Sequence, residues 1–207
     1  MFLGAQPGVA QQENLPAVPA TTSTQWQFMT GLDYSAGSVV VPGGATTARS
    51  GLGDVTFGAA WLLRDNSDGV PAIELSGTVK APTAEVGLGT GKWDYTLLAN
   101  AYHNITPDFM LFGSIGYSWL NDFQTFDLKD GVAASFGANF KPSPETSIGV
   151  SANYREEYFA GLGDQFTLTP YLLWDFNQNF RISAYGLFGT TRSSPRIGGG
   201  FRLILMR

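Results

Sequence analysis

The sequence has no cysteine in its 207 residues. This absence excludes disulfides, thiolate metal sites, cysteine nucleophiles and haem attachment through a C-x-x-C-H motif. Charge is also scarce, because charged residues make up 14% of the chain, whereas an average soluble domain has about 25%. The net charge is −5 and no basic run occurs, so we expect no nucleic-acid partner.

Long apolar runs are missing as well. No stretch of about 18 consecutive apolar residues occurs, so the sequence predicts no transmembrane helix. The mean hydropathy of −0.01 is nevertheless compatible with a membrane barrel, in which lipid-facing and lumen-facing residues alternate and cancel. The chain is instead rich in aromatic residues (14%) and in glycine (26 residues). That composition is typical of β-structure that faces lipid.

Ten segments alternate apolar and polar side chains, which is the pattern of a strand with two different faces. Each is about 9 to 13 residues long, near the length of about 9–11 residues with which a tilted strand crosses a bilayer. Aromatic residues stand near the ends of the apolar faces, where the membrane interfaces would lie. The segments are Gln25–Ser35, Asp54–Arg64, Ala72–Lys80, Lys92–Asn104, Phe109–Trp119, Val132–Lys141, Ser147–Arg155, Phe166–Phe176, Phe180–Phe188 and Arg196–Met206.

The predicted connections alternate in length, as they do in outer-membrane barrels. Connections one, three, five, seven and nine are the long ones, and the first, 36–53, is rich in glycine. Connections four, six and eight are tight turns with proline, aspartate or asparagine. The sequence therefore predicts an all-β fold, a transmembrane antiparallel up-and-down β-barrel of about ten strands with both termini in the periplasm.

Residues 24–207 are predicted to form this barrel, and residues 1–23 an extended N-terminal tail rich in proline, glutamine and alanine. The expected location is the outer membrane of a Gram-negative-type cell, with lipid as the partner of the apolar face. The alternative is a soluble lipocalin-like barrel or a β-sandwich, whose apolar face would point inward. Strand length and the alternation of turn length favour the membrane barrel.

The polar face of each strand would line the lumen, which carries acidic and basic residues in similar number. These charges are predicted to act as selectivity elements of a narrow wet pore or as a salt-bridge network that closes a small barrel. Inward-pointing Phe112 and Tyr171 favour partial filling of the lumen, and the sequence leaves both alternatives open. The predicted lumen charges are Asp33, Asp54, Arg64, Glu74, Lys80, Asp94, Lys141, Arg155, Asp175, Arg181, Arg196 and Arg202.

Patterns that carry catalysis or bind cofactors are not found. The single histidine, His103, falls on the predicted lipid face, and no serine stands in a G-x-S-x-G elbow. The glycine-rich stretches 51–53 and 87–91 match no phosphate-binding loop, and no D-x-D-x-D-G calcium loop occurs. We therefore predict that the chain is not an enzyme and carries no metal or cofactor.

Four stretches between residues 50 and 120 carry a family resemblance. They are GLGDVTFGAA (51–60), PAIELSGTVKAPT (71–83), GLGTG (87–91) and LFGSIGY (111–117). The sequence here resembles the outer-membrane proteins of the phenol meta-cleavage pathway family, although Ala84 stands where that family has glycine after Pro-Thr. The resemblance implies a barrel that transports small molecules, including aromatic ones, and no binding residues can be carried over from it.

Three hypotheses about function follow. The first is a narrow passive channel or transport component for small, including aromatic, molecules. The second is a closed structural or interaction barrel in a larger cell-envelope assembly, with partners that bind the external loops or the N-terminal tail. The third is a barrel hydrolase, for which the sequence offers no constellation of catalytic residues. The aromatic loop residues that motivate the second hypothesis are Phe123, Phe126, Tyr158 and Phe159.

Overall fold

The computed structural model describes residues 26–40, 46–66, 69–84, 91–121, 128–157, 161 and 163–206. The predicted tail, 1–23, and loop residues Phe123, Phe126, Tyr158 and Phe159 lie outside these residues. Among the described residues, no helix is long and apolar enough to cross a membrane. The strands are β1 (Trp26–Val40), β2 (Thr46–Arg64), β3 (Ala72–Ala81), β4 (Asp94–Thr106), β5 (Phe109–Trp119), β6 (Gly131–Ser143), β7 (Thr146–Arg155), β8 (Gln165–Asp175), β9 (Phe180–Gly189) and β10 (Ile197–Met206).

Every strand pairs in antiparallel fashion with its neighbours in the chain, and β1 pairs with β10 to close a ten-stranded barrel. Closure pairs the strand backbones around the whole ring and leaves no sheet edge, as a hydrocarbon environment demands. The seam sets Asp33 of β1 opposite Arg202 of β10 in the backbone register. The predicted ten-stranded antiparallel barrel is therefore confirmed.

The two ends of the barrel differ in the length of their connections. At one end, which we call the turn end, residues 107–108, 144–145 and 176–179 join strands in tight turns. The other end, the loop end, carries the longer connections 82–93, 120–130, 156–164 and 190–196. The predicted alternation of short and long connections holds for these elements.

The connection between β1 and β2 departs from the prediction. We expected a loop over 36–53, but β1 runs to Val40 and β2 begins at Thr46, so only 41–45 lie between them. The two strands pair from Ala36 opposite Ser50 to Val40 opposite Thr46. The prediction was wrong here because glycine and serine mark loops in sequence, yet they also occur in strands that pair closely.

The outer face of the barrel is apolar and bears aromatic residues at both ends. At the turn end, the rings of Trp26 and Trp61 stack with their centroids 5.4 Å apart. At the loop end, Tyr117 and Trp119 meet edge to face at 5.1 Å. An apolar band between two aromatic girdles is the surface that a bilayer requires of a membrane barrel.

Inside the barrel, apolar side chains from opposite walls meet near the turn end. We call this group the luminal aromatic cluster, because tyrosine and phenylalanine dominate it. It is built by β3, β4, β5, β8 and β9, and Leu62 of β2 packs against it. Its members are Ala72, Tyr102, Met110, Phe112, Tyr171, Leu173 and Tyr185.

Two glycines on β6 and β7 make room for the central rings of this cluster. A Cβ atom at Gly137 would lie 2.3 Å from Cζ of Phe112 and 2.4 Å from the carbonyl oxygen of Val150. A Cβ atom at Gly149 would lie 2.4 Å from the hydroxyl oxygen of Tyr171. The outer ends of both rings therefore lie over the wall that β6 and β7 form between them.

We predict that Gly137→Ala destabilises the barrel by about 1–3 kcal/mol, the usual cost of overpacking a filled interior. The added methyl group would collide with backbone as well as with Phe112, so a rotamer change alone cannot relieve it. Urea unfolding in lipid vesicles, followed by tryptophan fluorescence, measures the change. Gly186→Ala is the matched control, because its Cβ would meet its nearest atom at 3.5 Å; equal stability of both variants would contradict the packing described.

Candidate functional site

The lumen has a polar half at the loop end and a half at the turn end that we call the apolar half, because it holds the luminal aromatic cluster. Glu74 and the ion pair of Asp175 and Arg181 also lie in the apolar half. Inward positions near the loop end carry charged, amide and hydroxyl groups, whereas the luminal aromatic cluster occupies positions near the turn end. Every second residue of a strand points inward, so the inward residues near each end of the barrel determine the polarity of the lumen at that end. The candidate functional site is this lumen.

Three buried charges on neighbouring strands form an ion-pair triad at the loop end. Nζ of Lys80 on β3 lies 3.1 Å from a carboxylate oxygen of Asp54 on β2 and 2.5 Å from one of Asp94 on β4. The side chains of Lys80, Asp54 and Asp94 are 6%, 3% and 3% exposed. Because a buried charge without a partner is costly, the contacts of Lys80 with both carboxylates stabilise this wall.

The same carboxylates anchor the connections above them. Oδ1 of Asp54 accepts hydrogen bonds from the backbone amides of Thr83 and Ala84, at 2.9 and 2.8 Å. Oδ1 of Asp94 accepts one from the amide of Asn121 at 3.1 Å. The triad thus fixes the beginnings of two long connections at the mouth of the lumen.

Glu74 lies deeper in the same wall, in a shell of neutral hydrogen-bond donors. Its Oε1 accepts hydrogen bonds from the amide group of Asn100 and the hydroxyl group of Tyr102, both at 3.1 Å. Asn100 also donates to the hydroxyl oxygen of Ser76 at 2.9 Å. Glu74 therefore belongs to a buried polar network rather than to an ion pair with a described basic residue.

The basic residues predicted for the lumen are spread over the later strands. Arg155 at the loop end of β7 and Arg202 on β10 are both buried. Arg155 donates to the carbonyl oxygen of Lys129 at 3.4 Å. At the turn end, Nε and Nη2 of Arg181 donate to the two carboxylate oxygens of Asp175 at 2.5 and 2.9 Å, a bidentate pair across β8 and β9.

Three other predicted lumen charges lie away from these groups. Arg64 is exposed at the turn end and donates to the carbonyl oxygen of Pro71. Lys141 is half-buried near the turn end of β6, and Arg196 is exposed in the connection before β10. The side chain of Asp33 lies outside the described residues. The role of all twelve charges in selectivity stays a prediction.

Uncharged polar side chains cover the inner wall of β6 to β9, and sequence analysis did not single them out. Asn153 of β7 donates to Oγ1 of Thr169 of β8 at 3.0 Å. Nδ2 of Asn139, Oγ of Ser151 and Oγ of Ser183 are buried and have no hydrogen-bond partner among the described residues. The alternation of side chains that predicts Lys141 and Arg155 to point inward also places Asn139 and Ser151 inward. The same pattern could therefore have identified these uncharged residues.

The luminal aromatic cluster narrows the apolar half. The rings of Phe112 on β5 and Tyr171 on β8 approach each other across β6 and β7, with centroids 6.5 Å apart and planes tilted by 54°. The hydroxyl group of Tyr171 donates to Oδ1 of Asn139 at 3.3 Å. Sequence analysis predicted both rings to point inward, and the structure buries them both. Side chains therefore fill part of this half of the lumen, as the inward-pointing rings predicted.

A cavity of about 600 Å³ lies at the loop end, where described residues of the connections 120–130 and 156–164 line it. Asp130, Glu156 and Asp164 line it, together with the exposed ion pair of Lys129 and Glu157. Hydrogen bonds from Lys129 and from the backbone amides of Gly163 and Gly161 lower the pKa of Glu157 below its ordinary value of 4.5. Through these contacts Glu157 links Lys129 of one connection to Gly161 and Gly163 of the other.

Catalytic and metal-binding groups do not assemble in the described part of the chain. His103 is half-buried and alternates along β4 with the inward-pointing Tyr102, so it belongs to the outer face. Among the described residues, no group of three or more histidine, cysteine, aspartate or glutamate side chains could hold a metal ion.

Comparison with known proteins adds a family and several structural neighbours. Residues 13–206 match the sequence profile of the family described as "Putative MetA-pathway of phenol degradation". An outer membrane channel from Pseudomonas putida F1 is similar with a TM-score of 0.63 and 13% identity, over 93% of this chain and 99% of that chain. Among curated proteins, no sequence matches this chain.

Two porins have the same architecture at lower similarity. The KdgM porin, in a structure with disordered oligogalacturonate, gives a TM-score of 0.51 and 12% identity over 85% of this chain and 97% of that chain. The NanC porin gives 0.52 and 8% identity over 88% and 99%. At such identities the likeness concerns the fold, which in all three neighbours is an outer-membrane barrel.

We predict that Lys80→Met costs about 3–5 kcal/mol of stability, because it leaves two buried carboxylates without their shared cation. Lys129→Met is the matched control, since Lys129 is half exposed and its ion pair with Glu157 should contribute less than about 1 kcal/mol. Urea unfolding in lipid vesicles compares the two variants with the unmodified chain. A Lys80 variant as stable as the Lys129 variant would refute the structural role of the triad.

Proposed function

The chain belongs to the phenol meta-cleavage pathway family of outer-membrane proteins, and on that premise we propose that it is a narrow passive channel for small molecules. Its ten strands enclose a lumen with a polar half and an apolar half. A barrel of about eight strands has an interior just filled by side chains, so ten strands leave space for a narrow path only.

The polarity of the inner wall is the observation that carries this proposal. A barrel that served only as a rigid body could fill its interior with apolar side chains, whereas this wall buries amide and hydroxyl groups that have no partner among the described residues. Buried polar atoms in proteins are hydrogen-bonded to protein or to water. Asn139, Ser151 and Ser183 therefore support a lumen that admits water or a polar solute.

The channel is placed in the outer membrane of a Gram-negative-type cell, as its apolar outer face and its fold suggest. The short connections of the turn end and both termini are assigned to the periplasm, and the loop end to the cell exterior. Transport through such a channel is passive and requires no enzymatic group, which agrees with the absence of a catalytic constellation among the described residues.

Small aromatic molecules are the proposed solutes. The description of the family refers to phenol degradation, and the narrow half of this lumen is lined by Phe112, Tyr171 and Tyr185. Aromatic rings interact favourably with each other in stacked or edge-to-face arrangements. A path lined by rings should therefore admit a planar aromatic solute more readily than an ion.

Recordings of the purified full chain in planar lipid bilayers test the channel. We expect small discrete openings, and larger ones for Phe112→Ala, because that substitution removes one of the two rings that meet in the lumen. Phe136→Ala is the matched control, because Phe136 is 62% exposed on the outer face and its loss should leave the conductance unchanged. Deletion of residues 1–23 shows in the same recordings whether the tail obstructs the path.

Silence of the full chain, the Phe112 variant and the truncated chain at all voltages and salt concentrations would contradict the channel. The second candidate would then be preferred, a closed barrel that works through partners in the cell envelope. The observation in its favour is the luminal aromatic cluster, whose side chains meet across the lumen. Co-purification of a stoichiometric partner in mild detergent would support that candidate.

A further inference from the structure

The wall of β6 and β7 carries polar atoms beneath the two central rings of the luminal aromatic cluster. In the backbone register Phe112, Gly137, Ser151 and Thr169 lie in one row across β5 to β8. The next row contains Met110, Asn139, Gly149 and Tyr171. Because each ring covers the glycine of its own row, it reaches toward the polar residue beyond that glycine.

Both polar residues have hydrogen-bonding capacity that the described part of the chain leaves unused. Oγ of Ser151 has no partner, and its residue is 1% exposed. Asn139 accepts from Tyr171 with its Oδ1, but its Nδ2 has no partner. An unsatisfied buried polar atom costs about 1–3 kcal/mol, so a ligand that pairs with these atoms recovers stability that the folded chain lacks.

The two rings that cover these atoms can also receive an aromatic ligand. Their centroids are 6.5 Å apart and their planes are tilted by 54°, so the two rings contact each other. A ligand ring can pack between them when the Phe112 side chain turns away from Gly137 and each ring lies at the carbon contact distance of about 3.5 Å from the ligand. The glycines keep the wall behind the ligand free of side chains.

We propose that Phe112, Tyr171, Asn139 and Ser151 form a binding site for a planar aromatic molecule that bears one hydrogen-bonding substituent. The ring of the ligand packs between Phe112 and Tyr171, and its substituent bonds to Oγ of Ser151. Tyr185 and Leu173 complete the apolar side of the site. This inference rests on the proposed function, since it assigns the solute class that the channel recognises at its narrowest point.

Phenol and benzene are the probes that separate the two parts of the site, because they share a ring and differ by one hydroxyl group. The full chain in lipid nanodiscs is dialysed to equilibrium against each probe, and binding to empty nanodiscs is subtracted. We expect saturable binding of both probes, with phenol bound about tenfold more tightly, the ratio that corresponds to one net hydrogen bond of about 1.4 kcal/mol.

Ser151→Ala should abolish this preference by lowering the affinity for phenol about tenfold, to the level of benzene. The variant should fold normally, because the hydroxyl group that it removes has no partner in the part of the chain that the structure describes. Ser114→Ala is the matched control, since its hydroxyl group is already paired with that of Ser135 at 2.7 Å. Phe112→Leu should weaken the binding of both probes, because it removes one of the two rings.

Equal affinities for phenol and benzene, or a preference for phenol that Ser151→Ala does not change, would overturn the site. The polar atoms of Ser151 and Asn139 would then be assigned to hydrogen bonds with water. Absence of saturable binding would overturn it as well. Failure of the proposed function is read separately, in the bilayer recordings. Channel openings without specific binding refute the site alone, and specific binding by a silent barrel refutes the channel alone.

Discussion

The fold depends on one constraint, the need to pair every backbone amide and carbonyl group that enters hydrocarbon. Ten strands meet it by closing on themselves, with β1 paired to β10. Once the ring is closed, side chains must alternate between lipid and lumen along each strand. The apolar outer band, its aromatic girdles and the polar inner wall of this protein all follow from that alternation.

The closed ring creates a second problem, because polar groups of the inner face are buried in a narrow space. The chain accommodates these buried polar groups in different ways at the two ends of the barrel. At the loop end, Lys80 pairs with both Asp54 and Asp94 within the wall, and nearer the turn end neutral donors surround Glu74. Toward the turn end, aromatic rings take up the space, with glycines beneath them. The polar atoms that neither device satisfies lie between β6 and β9, where we place solute recognition.

Alternation in the sequence was sufficient to predict the strand number, the closure and the face of most residues. It failed at 36–53, where glycine and serine suggested a loop although the backbone of Ala36 pairs with that of Ser50. The charges of the lumen could be predicted by type but not by partner, because partners depend on register. The approach of Phe112 to Tyr171 could not be predicted either, since it depends on glycines of two intervening strands.

The most direct test of this account is the accessibility of β4 to lipid, measured residue by residue from Tyr95 to Asn100. Since the chain has no cysteine, single cysteines can be introduced and spin-labelled in lipid vesicles without background. The account predicts high collision rates with oxygen dissolved in the bilayer at Tyr95, Leu97 and Ala99, and low rates at the residues between them. Uniform accessibility, or an alternation of the opposite phase, would contradict the membrane barrel.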